Sequence, residues 1–121
     1  MNIIVFIPYL YMKIRLIVKQ TIEEYCLKNT QSRKSFSNWL EIIKYADWSF
    51  PDDILFTFGT ADLLGAGSNR VIFNIGGNKY RMICKYHFGE KQLHLFVCWI
   101  GTHAEYDKLC SDNKQYTISI Y

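Results

Sequence analysis

In the first half of the chain, the spacing of hydrophobic residues predicts one strand followed by two helices. Lys13–Val18 is rich in Ile, Leu and Val and predicts a first strand. The next segment has apolar residues at i, i+3 and i+4, and Thr21-x-x-Glu24 has the pattern of a capping box, so we predict a short helix from about Thr21. A second helix, after Ser32 or Ser35, is predicted by four residues at i, i+3, i+4 and i+7: Phe36, Trp39, Leu40 and Ile43. We assign Trp39 and Trp48 to the core.

Strand patterns dominate the second half. After the glycine-rich connector Leu64–Asn69, the segments Arg70–Ile75 and Asn78–Tyr86 flank a Gly76-Gly77 turn and predict a β-hairpin. Leu93–Ile100 predicts a further strand. We therefore expect an α+β fold of order β-α-α-β-β-β, in which two N-terminal helices pack on one face of a small antiparallel sheet and a short C-terminal helix follows.

The hairpin pattern also sorts side chains between the two sheet faces. A two-residue Gly76-Gly77 loop pairs Ile75 with Asn78 and Arg70 with Ile83. One face then carries a core of Val71, Phe73, Ile75, Tyr80, Met82 and Cys84. The other carries Arg70, Ile72, Asn74, Lys79, Arg81, Ile83 and Lys85. We expect this second face to be open, with its basic residues pointing away from the helices.

The two ends of the chain carry no predicted chemistry. With 121 residues the chain has the size of one domain. Residues 1–11 are either an extension from an upstream start or an extra β segment, because Met12 directly precedes the first strand. Their apolar stretch is too short for a membrane span and lacks the features of a signal peptide. Residues 110–121 form a tail in which Tyr116–Tyr121 alternates like an edge strand.

Charge and cysteine content narrow the class of protein. The net charge is +3, and residues 63–91 concentrate positive charge because they hold five basic residues and one acidic residue. Such a patch attracts anions. The four cysteines contain no C-x-x-C pair and suggest neither a zinc site nor a disulfide framework, so we expect reduced thiols in a cytoplasmic protein.

The segment after the last strand holds groups that can transfer protons. Thr102 and Glu105 have the spacing of a capping box, and His103, Tyr106 and Asp107 then share one helix face. An imidazole and a phenol beside a basic sheet suit proton transfer and base stacking, although both rings suit packing equally well. No metal-ligand pattern accompanies them. His87 and His94 are assigned as ordinary sheet residues.

Three segments in the right order resemble the HigB family of RelE-like mRNA interferases. They are Ala46–Ile54 (ADWSFPDDI), Asn69–Arg81 (NRVIFNIGGNKYR) and Ile100–Lys108 (IGTHAEYDK). The resemblance implies a metal-independent endoribonuclease toxin without cofactors, which cleaves mRNA, commonly on the ribosome, by attack of the RNA 2′-OH on the adjacent phosphate. It also implies a helix-turn-helix antitoxin as partner.

The resemblance further implies roles for individual residues. Arg70, Lys79 and Arg81 become phosphate and transition-state contacts, His103 a candidate acid or base, and Tyr106 a stacking or proton-transfer group. The residues expected to bind substrate are Asn74, Lys79, Lys85 and Lys108. Many relatives carry an arginine where this chain has Cys98, so one cation is missing from the expected active face.

Two classes of function remain open from the sequence. The first is an RNA-cleaving toxin, in which Arg70, Arg81, His103 and Tyr106 converge. The second is a non-catalytic module that binds RNA or an antitoxin-like protein, which is favoured if those side chains lie apart or if Cys98 disables the site. A DNA-binding helix-turn-helix function is a weak third.

Overall fold

The computed structural model describes residues 14–17 and 19–121. The predictions for residues 1–11 fall outside these ranges. In chain order the elements are β1 (Ile14–Ile17), α1 (Lys19–Lys28), α2 (Arg33–Tyr45), α3 (Pro51–Thr57), β2 (Asp62–Leu63), β3 (Arg70–Ile75), β4 (Tyr80–Phe88), β5 (Leu93–Thr102) and α4 (His103–Ser111). Within the described ranges, no helix has the length and apolarity to cross a membrane.

The five strands form one mixed sheet in the order β1-β5-β4-β3-β2. The predicted α+β class is confirmed, but the sheet is not wholly antiparallel, because β1 runs parallel to β5. Strands joined by a tight turn must be antiparallel, whereas β1 and β5 are separated by all the other strands and three helices. Their relative direction therefore could not be inferred from a turn.

Helices α1 and α2 pack on the first face of the sheet. The second helix is confirmed, with Phe36, Trp39 and Ile43 buried. The predicted start of the first helix is wrong, because α1 begins at Lys19 and Thr21 lies buried inside it. The Glu24 carboxylate accepts a hydrogen bond from the Gln20 side chain (2.9 Å) instead of closing a capping box.

The first face holds the main hydrophobic core. Its centre is aromatic: the Phe73 ring lies 5.1 Å from that of Trp39 and 5.2 Å from that of Phe58, both edge to face. Such pairs add to the free energy gained by area burial alone. These contacts join β3 to α2 and to the segment after α3.

A helix that was not predicted, α3, begins inside the segment Ala46–Ile54. Pro51 is its first residue, where a missing N–H costs no hydrogen bond. The Asp53 carboxylate accepts hydrogen bonds from the backbone N–H of Ser49 (2.8 Å) and Phe50 (3.1 Å). Trp48 is in the core as predicted, although it precedes the helix.

The β3–β4 hairpin has a longer loop than predicted. Ile75 pairs with Tyr80, so four residues, 76–79, form the connection, and Arg70 pairs with Lys85 instead of Ile83. Both glycines adopt φ of +67°, which only glycine adopts readily. Because the error is two residues, the predicted assignment to the two faces is nevertheless confirmed for the residues of β3 and β4, whereas Lys79 lies in the turn.

The second face is covered where it was expected to be open. Helix α4 and the tail pack on it and close a second core of Ile72, Ile83, Cys98, Trp99 and Leu109. The predicted edge strand at Tyr116–Tyr121 is wrong, since the tail has no regular strand. It instead meets the sheet at single points, for example where Ile120 N–H donates to the Cys98 carbonyl (3.0 Å).

Arg70 holds the tail on the second face. Its side chain is 6% exposed, and Nη1 donates to the backbone carbonyls of Gln115 (3.2 Å) and Ile118 (2.7 Å). A buried guanidinium needs such partners because its charge is withdrawn from water. The expectation that Arg70 is exposed is therefore wrong.

We predict that Arg70→Ala lowers the free energy of unfolding by about 2–4 kcal/mol, because it removes charge-assisted hydrogen bonds and leaves buried carbonyls unpaired. Lys85, which is exposed and pairs with Arg70 in the β3–β4 ladder, provides the matched control. Lys85→Ala should change stability by less than about 0.5 kcal/mol. Urea denaturation of both variants measures the difference, and equal losses would contradict a structural role for Arg70.

Candidate functional site

The start of α4 is fixed to the hairpin turn. Thr102 Oγ1 accepts a hydrogen bond from Glu105 N–H (3.2 Å), and Glu105 Oε1 accepts one from Thr102 N–H (2.8 Å). This confirms the predicted capping box. His103 N–H donates to the Lys79 carbonyl (3.0 Å), so the first residue of α4 is joined to residues 76–79.

Arg81 lies beneath this end of α4 on the second face. It pairs with Asn74 on β3 and with Gly101 on β5. The side chain is 7% exposed, which contradicts the expected open position. Its Nη1 donates to the Tyr80 carbonyl (3.1 Å) and its Nη2 to Asn78 Oδ1 (2.8 Å). A guanidinium has five N–H donors, so these bonds orient the group without exhausting it.

An aromatic pair packs close to Arg81. A Cβ atom on Gly101 would collide with the Trp99 ring, so the indole occupies the space that Gly101 leaves open. The ring of Tyr106, on α4, lies 6.1 Å from that of Trp99. The missing side chain at Gly101 thus lets the indole fold back over the strand and meet α4.

The environment of Tyr106 keeps its phenol neutral. Burial is the main cause of its raised pKa, a hydrogen bond with Cys110 adds to the effect, and the Asp62 carboxylate raises the pKa further. The charge of Arg81 acts in the opposite direction, which places the guanidinium within electrostatic reach of the phenol. At neutral pH Tyr106 is therefore a proton donor or a stacking surface and not a base.

His103 lies at the solvent-facing rim, one helical turn before Tyr106. Its Nε2 is 3.6 Å from Asp107 Oδ2, and the two side chains are 45% and 65% exposed. The other ring nitrogen, Nδ1, is buried and has no hydrogen-bond partner within residues 14–17 and 19–121. The Asp107 carboxylate is therefore placed to orient the imidazole.

The structure does not bring Arg70 to this site. Arg81 on β4 pairs with Asn74 on β3. Arg70 lies four residues before Asn74 on β3, a distance of about 13 Å along the strand. Ile72 and Ile83 pack between the two positions. The four residues expected to be catalytic therefore divide into three near the start of α4 and one that anchors the tail.

The expected substrate-binding residues are also divided. Lys79 is exposed in the hairpin turn, Asn74 is half-buried opposite Arg81, and Lys108 is exposed on α4. Lys85 is exposed at the other end of the face, opposite Arg70. Cys98 is buried in the second core, and its thiol carries no positive charge. In the described ranges, no three His, Cys, Asp or Glu residues cluster as a metal site requires.

Two residues of this site were not predicted as functional. Asn78 orients Arg81, and Trp99 supports Tyr106. The i, i+4 spacing of His103 and Asp107 was visible in the sequence, whereas Asn78 lies in an irregular turn. Trp99 alternates like any strand residue, so the signal that a large ring needs space there is Gly101, two residues later on the same strand.

The match to known proteins covers this whole site. Residues 32–109 match the HigB toxin family, described as the RelE-like toxic component of a toxin–antitoxin system. The mRNA interferase HigB of Escherichia coli O6:H1 is 31% identical over 94 residues, which are 78% of this chain and 89% of the relative. The chain belongs to the HigB family of RelE-like toxins, and the resemblance stated from the sequence is confirmed.

We predict that Gly101→Ala lowers the free energy of unfolding by about 1–3 kcal/mol, because the added methyl group must displace the rigid indole of Trp99. Gly59→Ala is the matched control, since a Cβ at Gly59 has no heavy atom within 4 Å. Urea denaturation and the near-UV circular dichroism of the aromatic residues provide the measurement. An unchanged spectrum and stability in Gly101→Ala would contradict this packing.

Proposed function

We propose that this protein is an mRNA interferase: a metal-independent endoribonuclease toxin that cleaves mRNA on the ribosome. Membership of the HigB family and the name of the Escherichia coli relative support this proposal. Family membership also supports an antitoxin partner, which we propose to be a HigA-like helix-turn-helix protein that holds the toxin inactive in the cytoplasm.

The observation that carries the proposal is the position of Arg81. This cation is nearly buried and oriented by two hydrogen bonds, and it lies within electrostatic reach of Tyr106. When an RNA 2′-OH attacks the adjacent phosphate, negative charge accumulates on the phosphoryl oxygens. A preoriented guanidinium in a poorly solvated site stabilises that charge more than a mobile surface cation would.

The proposed reaction needs one proton removed and one supplied. The 2′-OH loses its proton as its oxygen bonds to phosphorus, the bond to the 5′-oxygen breaks, and that oxygen gains a proton. The products are a 2′,3′-cyclic phosphate, which water can open to a 3′-phosphate, and a 5′-OH. His103 is the proposed base because the Tyr106 phenol is neutral, while Tyr106 supplies a proton or a stacking surface for a base.

A second candidate function is favoured by the arrangement of the cations. Arg70 is engaged by the tail, and position 98 holds a buried cysteine. Both facts reduce the positive charge available to a cleaved phosphate. The alternative is a module of the same fold that binds RNA or its antitoxin without cutting RNA.

We predict that regulated expression of the full chain without a partner arrests growth and produces discrete 5′ ends within coding regions, mapped by primer extension. Expression of Arg81→Ala at equal abundance is the control, because it removes the proposed transition-state cation and should reduce cleavage at least about 100-fold. Growth arrest without new 5′ ends would favour the non-catalytic module. Cleavage of a purified transcript in excess EDTA would test metal independence separately.

We predict that His103→Phe and Tyr106→Phe each reduce cleavage while preserving the fold. The double variant should lose less, in the logarithm of the rate, than the sum of the single variants, since residues that act as one unit are non-additive. Primer-extension rates at matched abundance give the comparison, and melting temperatures exclude unfolding. Cleavage by the double variant at near-native speed would exclude both residues from the reaction.

A further inference from the structure

The second face continues beyond the part covered by α4 and the tail. There the strand register places His87 opposite His94, and Lys85 opposite Phe96. These four residues, which we name the basic-aromatic strip, lie on adjacent strands at the end of the sheet away from α4. Lys85 and His87 are exposed, Phe96 is 39% exposed, and His94 is half-buried.

The two imidazoles of the strip are nearly parallel. Their ring centroids are 6.1 Å apart and the planes differ by 13°. The rings belong to directly paired residues of β4 and β5, so the ladder fixes their spacing. Phe96 is the next outward-facing residue after His94 on β5, which adds a third ring on the same surface.

The charge of the strip and its surroundings favours an anionic ligand. Lys85 is the exposed cation of the strip, and its ladder neighbours are Phe96 on β5 and Arg70 on β3, which the tail engages. None of the residues paired with the strip in the described part of the sheet is acidic. Phe96 is the one apolar member, which is too little apolar surface for a stable protein interface.

We propose that the basic-aromatic strip binds single-stranded RNA, with bases on its rings and phosphate beside Lys85. Exposed rings beside a cation on a sheet form a combination that can hold a single strand without sequence readout. Lys85, the strip residue nearest to Arg81 on β4, is four residues or about 13 Å from it, so one RNA strand is long enough to reach both places. As a substrate subsite, this assignment rests on the proposed function, but the binding itself does not require cleavage.

The test measures binding of a fluorescent 2′-O-methyl oligoribonucleotide of about ten residues, which lacks the attacking 2′-OH. His87→Ala, His94→Ala and Phe96→Ala should each weaken binding about 5- to 100-fold, as expected for the loss of a stacked base. Lys85→Ala should make the salt dependence of the binding constant shallower by about 0.7 in a log–log plot, for one lost phosphate contact.

Two exposed residues on the helical side of the molecule provide matched controls. Phe56→Ala removes an exposed ring from α3, and Lys34→Ala removes an exposed cation from α2. Both variants should bind the oligoribonucleotide with an affinity within about twofold of that of the wild-type protein. Melting temperatures of all six variants check that the fold is retained.

The outcomes separate this inference from the proposed nuclease. Ring-dependent binding in a chain that never cuts RNA would support the strip while the nuclease proposal fails. Affinity that is unchanged in the strip variants, with cleavage intact, would overturn the strip alone. Unchanged RNA affinity together with lost neutralisation by the antitoxin would also overturn it, because the strip would then bind protein.

Discussion

The antiparallel pairing of β4 with β5 determines where every element of the candidate site lies. Its register puts Thr102 opposite Tyr80, so α4 must start beside the hairpin turn. Between Ile83 and Cys84 the register shifts, and Cys98 is the extra residue on β5. A bulge of this kind lets the adjacent Cys98 and Trp99 both enter the second core. The site is therefore a consequence of one ladder and its single irregularity.

The second face contains two environments because the covering elements are short. Helix α4 and the tail cover the half that holds Arg70 and Arg81, whereas the basic-aromatic strip is left to solvent. Burial of the two arginines is tolerated because backbone carbonyls and one amide oxygen accept their hydrogen bonds. In the exposed half, the side chains of the basic-aromatic strip are accessible to water, so they need no such hydrogen-bond acceptors within the protein. The same sheet thus combines preoriented cations with an accessible surface.

Local patterns predicted the fold class, the second helix, the capping box at Thr102 and the sorting of hairpin side chains between faces. Each depends on neighbours in sequence or on strand parity, which survives an error of two residues. The burial of Arg70 depends instead on carbonyls 45 and 48 residues away, in a tail whose alternating pattern predicted a strand that does not form. The clustering of Arg81, Tyr106 and His103 near the hairpin turn was predictable from the sequence. The position of Arg70 outside that cluster was not.

Because position 98 holds a buried cysteine, stabilisation of charge on the phosphate depends more strongly on Arg81 in the proposed reaction. With Arg70 bound to the tail and Cys98 in the second core, Arg81 is the cation that the fold orients beneath α4. Its hydrogen bonds to Asn78 and to the Tyr80 carbonyl hold it before any substrate arrives, so little reorganisation is needed when charge develops. The same proximity restrains the rise in the Tyr106 pKa that burial causes, which makes the phenol a better proton donor than burial alone would allow. The proton-donating strength of the phenol thus depends on the cation, which the turn residue Asn78 helps to orient.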